Sequence, residues 1–232
     1  MLNFAVTNSI INMRNTLSIF FILFFSIGAF SQSCKLFTTN SKLSSSLINK
    51  IYQDRNGMIW IATEDGLNKY DGVKFTVYKH KKDDEHSLCH NYVRTLFEDN
   101  KANLIIGTYT GIQMYDPATD RFTPQARWEN GDLFDSNIIA ILERQNGEIW
   151  VSGNILCKLI IKKEELIVKM LNLPMPITST DYMIEDKKRN IWITKGENGI
   201  YKISDKKKVT HYLKDEKGIT IVDFCEDLNG NI

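Results

Sequence analysis

Charge of one sign is what this chain conspicuously lacks: 29 lysine and arginine side chains stand against 28 aspartates and glutamates. A net charge of +1 gives no electrostatic footprint for nucleic acid. Cysteine is scarce and scattered. Cys34, Cys89, Cys157 and Cys225 show no CxxC or other ligand spacing, which argues against a disulfide framework and a zinc site. Beyond the N-terminal region no apolar run reaches the roughly 20 residues that a membrane helix needs. Also missing are a nucleophile with a matching base, a phosphate-binding glycine loop and paired carboxylates. No catalytic, cofactor-binding or metal-ligating residue is therefore named, and no cofactor is expected. With 43% hydrophobic residues over 232 positions the chain can still bury a sizeable core, in one or two domains.

The N-terminus carries an address. Arg14 precedes LSIFFILFFSIGA, an apolar run from Leu17 to Ala29, and Ala29-Phe30-Ser31 supplies a small-residue cleavage site. Residues 1–31 read as a secretory signal, with Met13 as an alternative start. Cys34 follows no convincing lipobox, so no lipoprotein is expected. The mature part is expected to be exported and soluble, with residues 32–42 as a lead-in.

A repeat follows. DRNGMIWIAT at Asp54–Thr63 recurs as DNKANLIIGT from Asp99, RQNGEIWVSG from Arg144, DKKRNIWITK from Asp186, and DLNGNI from Asp227. The step is 41 to 45 residues. Each copy has an apolar segment, a tight turn, and a strand apolar at successive positions (IWIAT, LIIGT, IWVSG, IWITK). Such a strand is buried on both faces. A third strand follows a second glycine turn in GLNKYD, GIQMYD and GIYKIS, and KFTVYK, RFTPQ and KVTHYL suggest a fourth. Asn-Gly stands at the first turn three times, at Asn56-Gly57, Asn146-Gly147 and Asn229-Gly230, which predicts a two-residue hairpin. In the second and fourth copies Asn103 or Asn190 is expected to take the left-handed position. Copy three lacks the second glycine turn, so its third strand is expected early or distorted.

Four strands of about 5–6 residues with short connections fill roughly 36–48 residues. The fold class is therefore all-β, a β-propeller of four-stranded blades, incomplete at about four and a half blades. A sandwich would leave polar outward faces, which the IWI-type strands do not show. The repeats span about 43–86, 87–132, 133–178, 179–218 and a partial 219–232. The break inside a strand at Ile232 reads as truncation, leaving the last blade with an apolar face unpaired.

Some residues invite chemistry. His80, His86, Cys89 and His90 cluster in YKHKKDDEHSLCHN, but without a metal-ligand spacing. Lys79–Glu85 and Lys206–Lys208 read as solvated charge runs. Asp54, Asp99, Asp186 and Asp227 open the turns, where a carboxylate accepts backbone N–H bonds. Trp60, Trp150 and Trp192 form one column, with Ile105 in its second place and Trp128 outside it. Packing between blades explains that column better than sugar stacking. A ligand would sit at the end of the central channel, on loop residues that the sequence does not identify.

IYQDRNGMIWIATEDGLNKYDG closely resembles the two-component regulator propeller repeat, and HSLCHNYVRTLFED resembles the linker and first strand that follow it. The resemblance runs from about Leu43 to the end. It implies the periplasmic, non-enzymatic sensor region of a hybrid two-component receptor, which detects glycan fragments and switches on genes for their use. It further implies an oligosaccharide ligand, the rest of the receptor chain with its membrane anchor and kinase, and a homodimer as partners. The chain departs from that plan in having no membrane helix, kinase or receiver after the propeller. An alternative is a propeller lyase of the streptogramin-inactivating kind, which would need a channel-facing His and Glu with a metal. His80, His86, His90 and His211 all fall in linkers or outer strands, which disfavours it. A bare interaction scaffold is the third reading.

Overall fold

Each of the four full repeats folds as a meander of short antiparallel strands, and the first turn sets its geometry. The N–H of Gly57 donates to the Asp54 carbonyl at 2.9 Å, and the N–H of Asp54 donates to the Met58 carbonyl at 3.0 Å. The same pair closes the turns at Asp99, Arg144, Asp186 and Asp227. This is the three-residue hairpin loop, a type I turn ending in one left-handed residue, and not the two-residue turn expected from Asn-Gly. Gly57, Gly147 and Gly230 hold φ of +82°, +80° and +83°, while the asparagines before them stay out of the left-handed region. Where it is present, the aspartate braces this loop, although the turn at Arg144 forms without it. Asp54 Oδ1 accepts the N–H groups of Asn56 and Met58, both at 2.9 Å, which holds the two central residues in a right-handed bend.

A second correction follows. In the second and fourth copies the left-handed residues are Ala102 (φ 66°) and Arg189 (φ 63°), not Asn103 or Asn190. The asparagines come one position later, where their side-chain amides donate to Asp99 and Asp186 at 2.7 Å. A side chain with a Cβ in the left-handed region costs roughly 1–2 kcal/mol. Arg189→Gly is therefore expected to raise the unfolding free energy by about 1 kcal/mol in urea denaturation. Lys188→Gly, one position earlier, should give no gain. Equal midpoints for the two variants would remove strain from this turn.

The structure, a computed structural model, describes residues 36–38, 40, 42–163, 165–175, 177–178, 182–194, 199–213, 221 and 223–232. The secretory signal and Cys34 lie outside the described residues. All strands fall in one unit, Phe37–Ile232. The first blade runs β1 (Ile48–Gln53), β2 (Ile59–Thr63), β3 (Gly66–Tyr70) and β4 (Phe75–Tyr78). The second runs β5 (Val93–Glu98), β6 (Leu104–Thr108), β7 (Ile112–Asp116) and the two-residue β8 (Arg121–Phe122). A short β9 (Arg127–Trp128) precedes the third blade, β10 (Ala140–Glu143), β11 (Ile149–Ser152), β12 (Cys157–Lys162) and β13 (Glu165–Met170). β9 adds to that blade as a fifth strand, parallel to β13. The fourth blade is β14 (Tyr182–Glu185), β15 (Ile191–Thr194), β16 (Ile200–Ile203) and β17 (Val209–Tyr212). β1, β5, β10 and β14 neighbour one another in that order, so the blades are arrayed by their first strands.

The third copy keeps its blade. Lys158 stands opposite Trp150, whereas Lys69 stands opposite Trp60 and Met114 opposite Ile105. The β11–β12 hairpin is thus one residue shorter in register, and β12 is undistorted: all six of its residues pair with β13.

Three apolar clusters fill the spaces between blades. Trp60, Ala62 and Leu67 of the first blade meet Leu104, Ile106 and Tyr115 of the second. Ile105 and Ile112 of the second meet Ile149, Val151 and Leu159 of the third. Trp150 of the third meets Ile191, Ile193 and Tyr201 of the fourth. Successive residues of β6 and β11 thus serve opposite neighbours, and every residue of both strands is buried. This is the physical content of an unbroken apolar strand. One lead-in residue and one from the start of the first repeat pack on the first blade. Phe37 sets its ring edge against Tyr70 and Phe75, and Ser44 exchanges hydrogen bonds with the buried Asn68 side chain at 2.9 and 2.7 Å.

Candidate functional site

The recurring aspartates are joined to the recurring tryptophans. Asp54 Oδ1 closes the turn, and its Oδ2 accepts the Trp60 indole N–H at 2.7 Å. Asp186 does the same for Trp192 at 2.8 Å. A buried indole needs an acceptor for its N–H, and the six-residue spacing supplies one from the same hairpin. Burial alone would raise the Asp186 carboxyl. The bonds from Asn190, Trp192 and the backbone outweigh it and hold this acid below the usual carboxylate range. In the third copy Arg144 replaces the aspartate, and Glu148 accepts the Trp150 indole N–H at 3.3 Å. Both oxygens of these carboxylates are engaged in holding the fold, so neither is placed for acid–base work.

A second recurrence escaped the sequence reading. The residue after a turn-opening position donates its backbone N–H to a glutamate just before the next turn-opening position, and Glu98, Glu143 and Glu185 each end their blade's first strand. Arg55 donates to Glu98, Asn100 to Glu143 and Lys187 to Glu226, at 3.1, 2.8 and 3.0 Å. Gln145 donates to Glu185 in the same way. Three of the donors also reach the next turn with their side chains: Arg55 to the Asp99 carbonyl, Gln145 to that of Asp186 and Lys187 to that of Asp227. The signal was present as Glu-Asp at 98–99, 185–186 and 226–227. Only the aspartate drew notice, because the glutamate's partner lies about 40 residues away.

At the outer side of the first two blades Lys69 donates to the Tyr115 hydroxyl at 2.7 Å and to Asp120 at 3.1 Å, with its ammonium 5.5 Å above the Trp60 ring. Tyr78 and Tyr115 both donate to Asp120. Burial, with the Asp120 carboxylate beside it, pushes the Tyr78 phenol far above its ordinary pKa. This polar cap locks one blade to the next.

The histidines do not converge. His80 Nδ1 bonds the Leu88 carbonyl at 2.7 Å, His86 Nδ1 the Phe122 carbonyl at 2.9 Å, and His90 Nδ1 accepts the Tyr92 N–H at 2.9 Å. Each tethers the linker between β4 and β5, while His211 lies in β17, at the outer side of the fourth blade. Among the described residues no three His, Cys, Asp or Glu side chains form a group able to hold a metal ion. Burial pushes the Cys89 thiol up, away from a reactive thiolate.

Concave surface gathers elsewhere, around the segment between the second and third blades. A cavity of 480 Å³ is lined by the His80–Cys89 linker together with Gln125 and Arg127. Its neighbour of 390 Å³ shares Glu85, Gln125 and Arg127 with it and adds Trp128 and Glu165. A third of 510 Å³ shares Trp128 and Glu129 with the second. These volumes fall within the roughly 300–1,000 Å³ of ordinary ligand sites. Trp128, set aside in the sequence as outside the column, forms a wall of two of them.

Residues 42–65, the whole first turn and the strands on either side of it, match the sequence profile of the two-component regulator propeller. That stretch is one copy of the two-component regulator propeller repeat. Over 83 residues this propeller chain is 37% identical to histidine kinase P4 of Formosa agariphila, a match that covers 33% of the chain and 6% of the kinase. In fold it is similar to the extracellular domain of BT4673 from B. thetaiotaomicron, named a hybrid two component system. The TM-score is 0.68 at 21% identity, over 85% of this chain and 30% of that one. The propeller thus spans about a third of the solved domain it resembles. Virginiamycin B lyase of Staphylococcus aureus is also similar in fold, with a TM-score of 0.53 at 18% identity over 76% of this chain and 58% of the lyase.

Proposed function

We propose that this propeller is the ligand-sensing part of an exported two-component signalling receptor, that it detects fragments of glycans, and that it performs no catalysis itself. The observation that carries this reading is the two-component regulator repeat at residues 42–65, in a chain whose fold is that of an extracellular sensor domain. The N-terminal signal supports a periplasmic site of action. The partners proposed are an oligosaccharide, the remainder of the receptor and a second receptor copy; the charge balance gives nucleic acid no foothold. Ligand binding would act only through contacts that differ between two receptor states. A lyase is the second reading, favoured by the shared propeller fold and disfavoured by histidines that tether a linker or lie on an outer strand.

The test is thermal unfolding of the chain against a panel of oligosaccharides differing in charge and linkage, with streptogramin turnover in magnesium alongside. One class of sugar is expected to raise the unfolding midpoint, and a ligand at a hundred times its Kd adds about 2.7 kcal/mol. No midpoint shift with any sugar would overturn the sensing proposal. Turnover abolished by a chelator would replace it with the lyase.

A further inference from the structure

We infer that Trp128 is the stacking platform of an outer groove that binds a neutral sugar chain, lying against the outermost strands of the third blade. This inference rests on the glycan-sensing proposal and gives it a place on the molecule that is not the end of the central channel.

Trp128 differs from the other three tryptophans in a way that bears on ligands. Trp60, Trp150 and Trp192 each donate the indole N–H to a carboxylate of their own hairpin. The Trp128 indole N–H has no acceptor among the described residues. The ring is nonetheless held in place. The Trp128 backbone N–H donates to the Asp132 carbonyl at 2.8 Å, and its carbonyl accepts from Gly131 at 2.8 Å. Phe134 stands edge-on to the ring, with centroids 5.0 Å apart and planes at 89°. A fixed, half-buried indole with a free donor at a cavity wall suits the apolar face and hydroxyl rim of a pyranose.

The shape of the surface suggests a chain of sugars. The cavities of 480, 390 and 510 Å³ share walls in series, with Trp128 between the second and the third. The lining chemistry selects the kind of chain. Around Trp128 the carboxylates of Glu85, Glu129, Asp132 and Glu165 outnumber the cations Arg127 and Lys169. Lys169 already pairs with Glu129 at 3.0 Å, and Arg127 donates to the Gly131 carbonyl at 3.0 Å. The remaining carboxylates are acceptors for sugar hydroxyls and repel sulfated or uronate-rich chains. A peptide added as a strand is disfavoured, because β9 already occupies the outer edge of β13.

The experiment follows the four tryptophan indole N–H signals of the chain by ¹⁵N NMR during titration with neutral hexasaccharides of glucose, mannose or xylose. A sulfated oligosaccharide serves as the charge control. Binding of one neutral chain should shift the Trp128 indole signal and leave that of Trp60 in place. Trp128→Ala should weaken binding by about tenfold or more, the loss expected of an aromatic anchor. Trp128→Phe, which keeps the ring against Phe134, and Glu165→Gln, at an exposed position, guard against misfolding and should each weaken binding by a smaller factor. Neutral-sugar binding with an unmoved Trp128 signal and unchanged variants would overturn the groove and leave the sensing proposal intact. Binding of the sulfated chain alone would also overturn it. Absence of carbohydrate binding altogether would overturn both.

Discussion

Trp60→Ala is expected to lower the unfolding free energy of the chain by about 3–5 kcal/mol in urea denaturation. The ring is fully buried between two blades, with Tyr115 of the second blade edge-on at 4.7 Å and Tyr78 stacked at 6.0 Å. Truncation leaves a cavity on a face where neither sheet can close without losing its register. Trp60→Phe keeps most of the volume and loses the N–H bond to Asp54, so its cost should be smaller. Trp192→Ala supplies the internal comparison. That ring stacks on Tyr212 of its own blade and is only partly buried, with no aromatic partner from a further blade among the described residues. Its loss should cost less than that of Trp60. Equal losses at the two positions would show that packing between blades is not what the column supplies.

Glu185→Ala is expected to be of similar size, about 3–5 kcal/mol, for an electrostatic reason. Arg144 and Glu185 meet at 3.0 Å with side chains only 8% and 5% exposed. The guanidinium lies 4.9 Å from the centre of the Trp150 ring and donates to the Arg189 carbonyl at 3.1 Å. Removing Glu185 takes the shortest partner from a buried cation and leaves it the longer pairs with Glu148 and Asp205, both at 3.5 Å. The same change also deprives Gln145 of the acceptor for its backbone N–H. An exposed pair calibrates the result. Lys79 and Asp65 meet at 2.6 Å with side chains 44% and 49% exposed, so Asp65→Ala should cost at most about 1 kcal/mol. A loss at Glu185 no larger than that at Asp65, or one abolished by high salt, would mean that water reaches Arg144.

The blade is legible in the sequence because burial on both faces writes an unbroken apolar run, and IWIAT, LIIGT, IWVSG and IWITK are such runs. Its turns were harder to read. Asn56-Gly57 suits a two-residue hairpin on local propensity, but the backbone bonds among Asp54, Gly57 and Met58 close the longer loop, and the Asp54 carboxylate braces it. At Ala102 and Arg189 the hydrogen-bonded frame imposes a left-handed residue that composition would not place there. The glutamate contacts between blades depend on partners one repeat away, a distance that local patterns do not carry. Trp128 was visible only as an exception to the column. Its significance comes from β9, a two-residue strand too short to announce itself, which brings the ring beside β13.

The bonds from Arg55, Asn100, Gln145 and Lys187 have a consequence for how such chains diversify. The giving atom is a main-chain nitrogen in every case, so four unlike amino acids do the same job, while the receiving side has kept a glutamate each time. A module joined to its neighbour in that way is indifferent to most of its neighbour's identity. Gene duplication could insert or remove whole modules, and their surfaces could drift toward new chemistries, while a single acidic letter per copy preserved the seam.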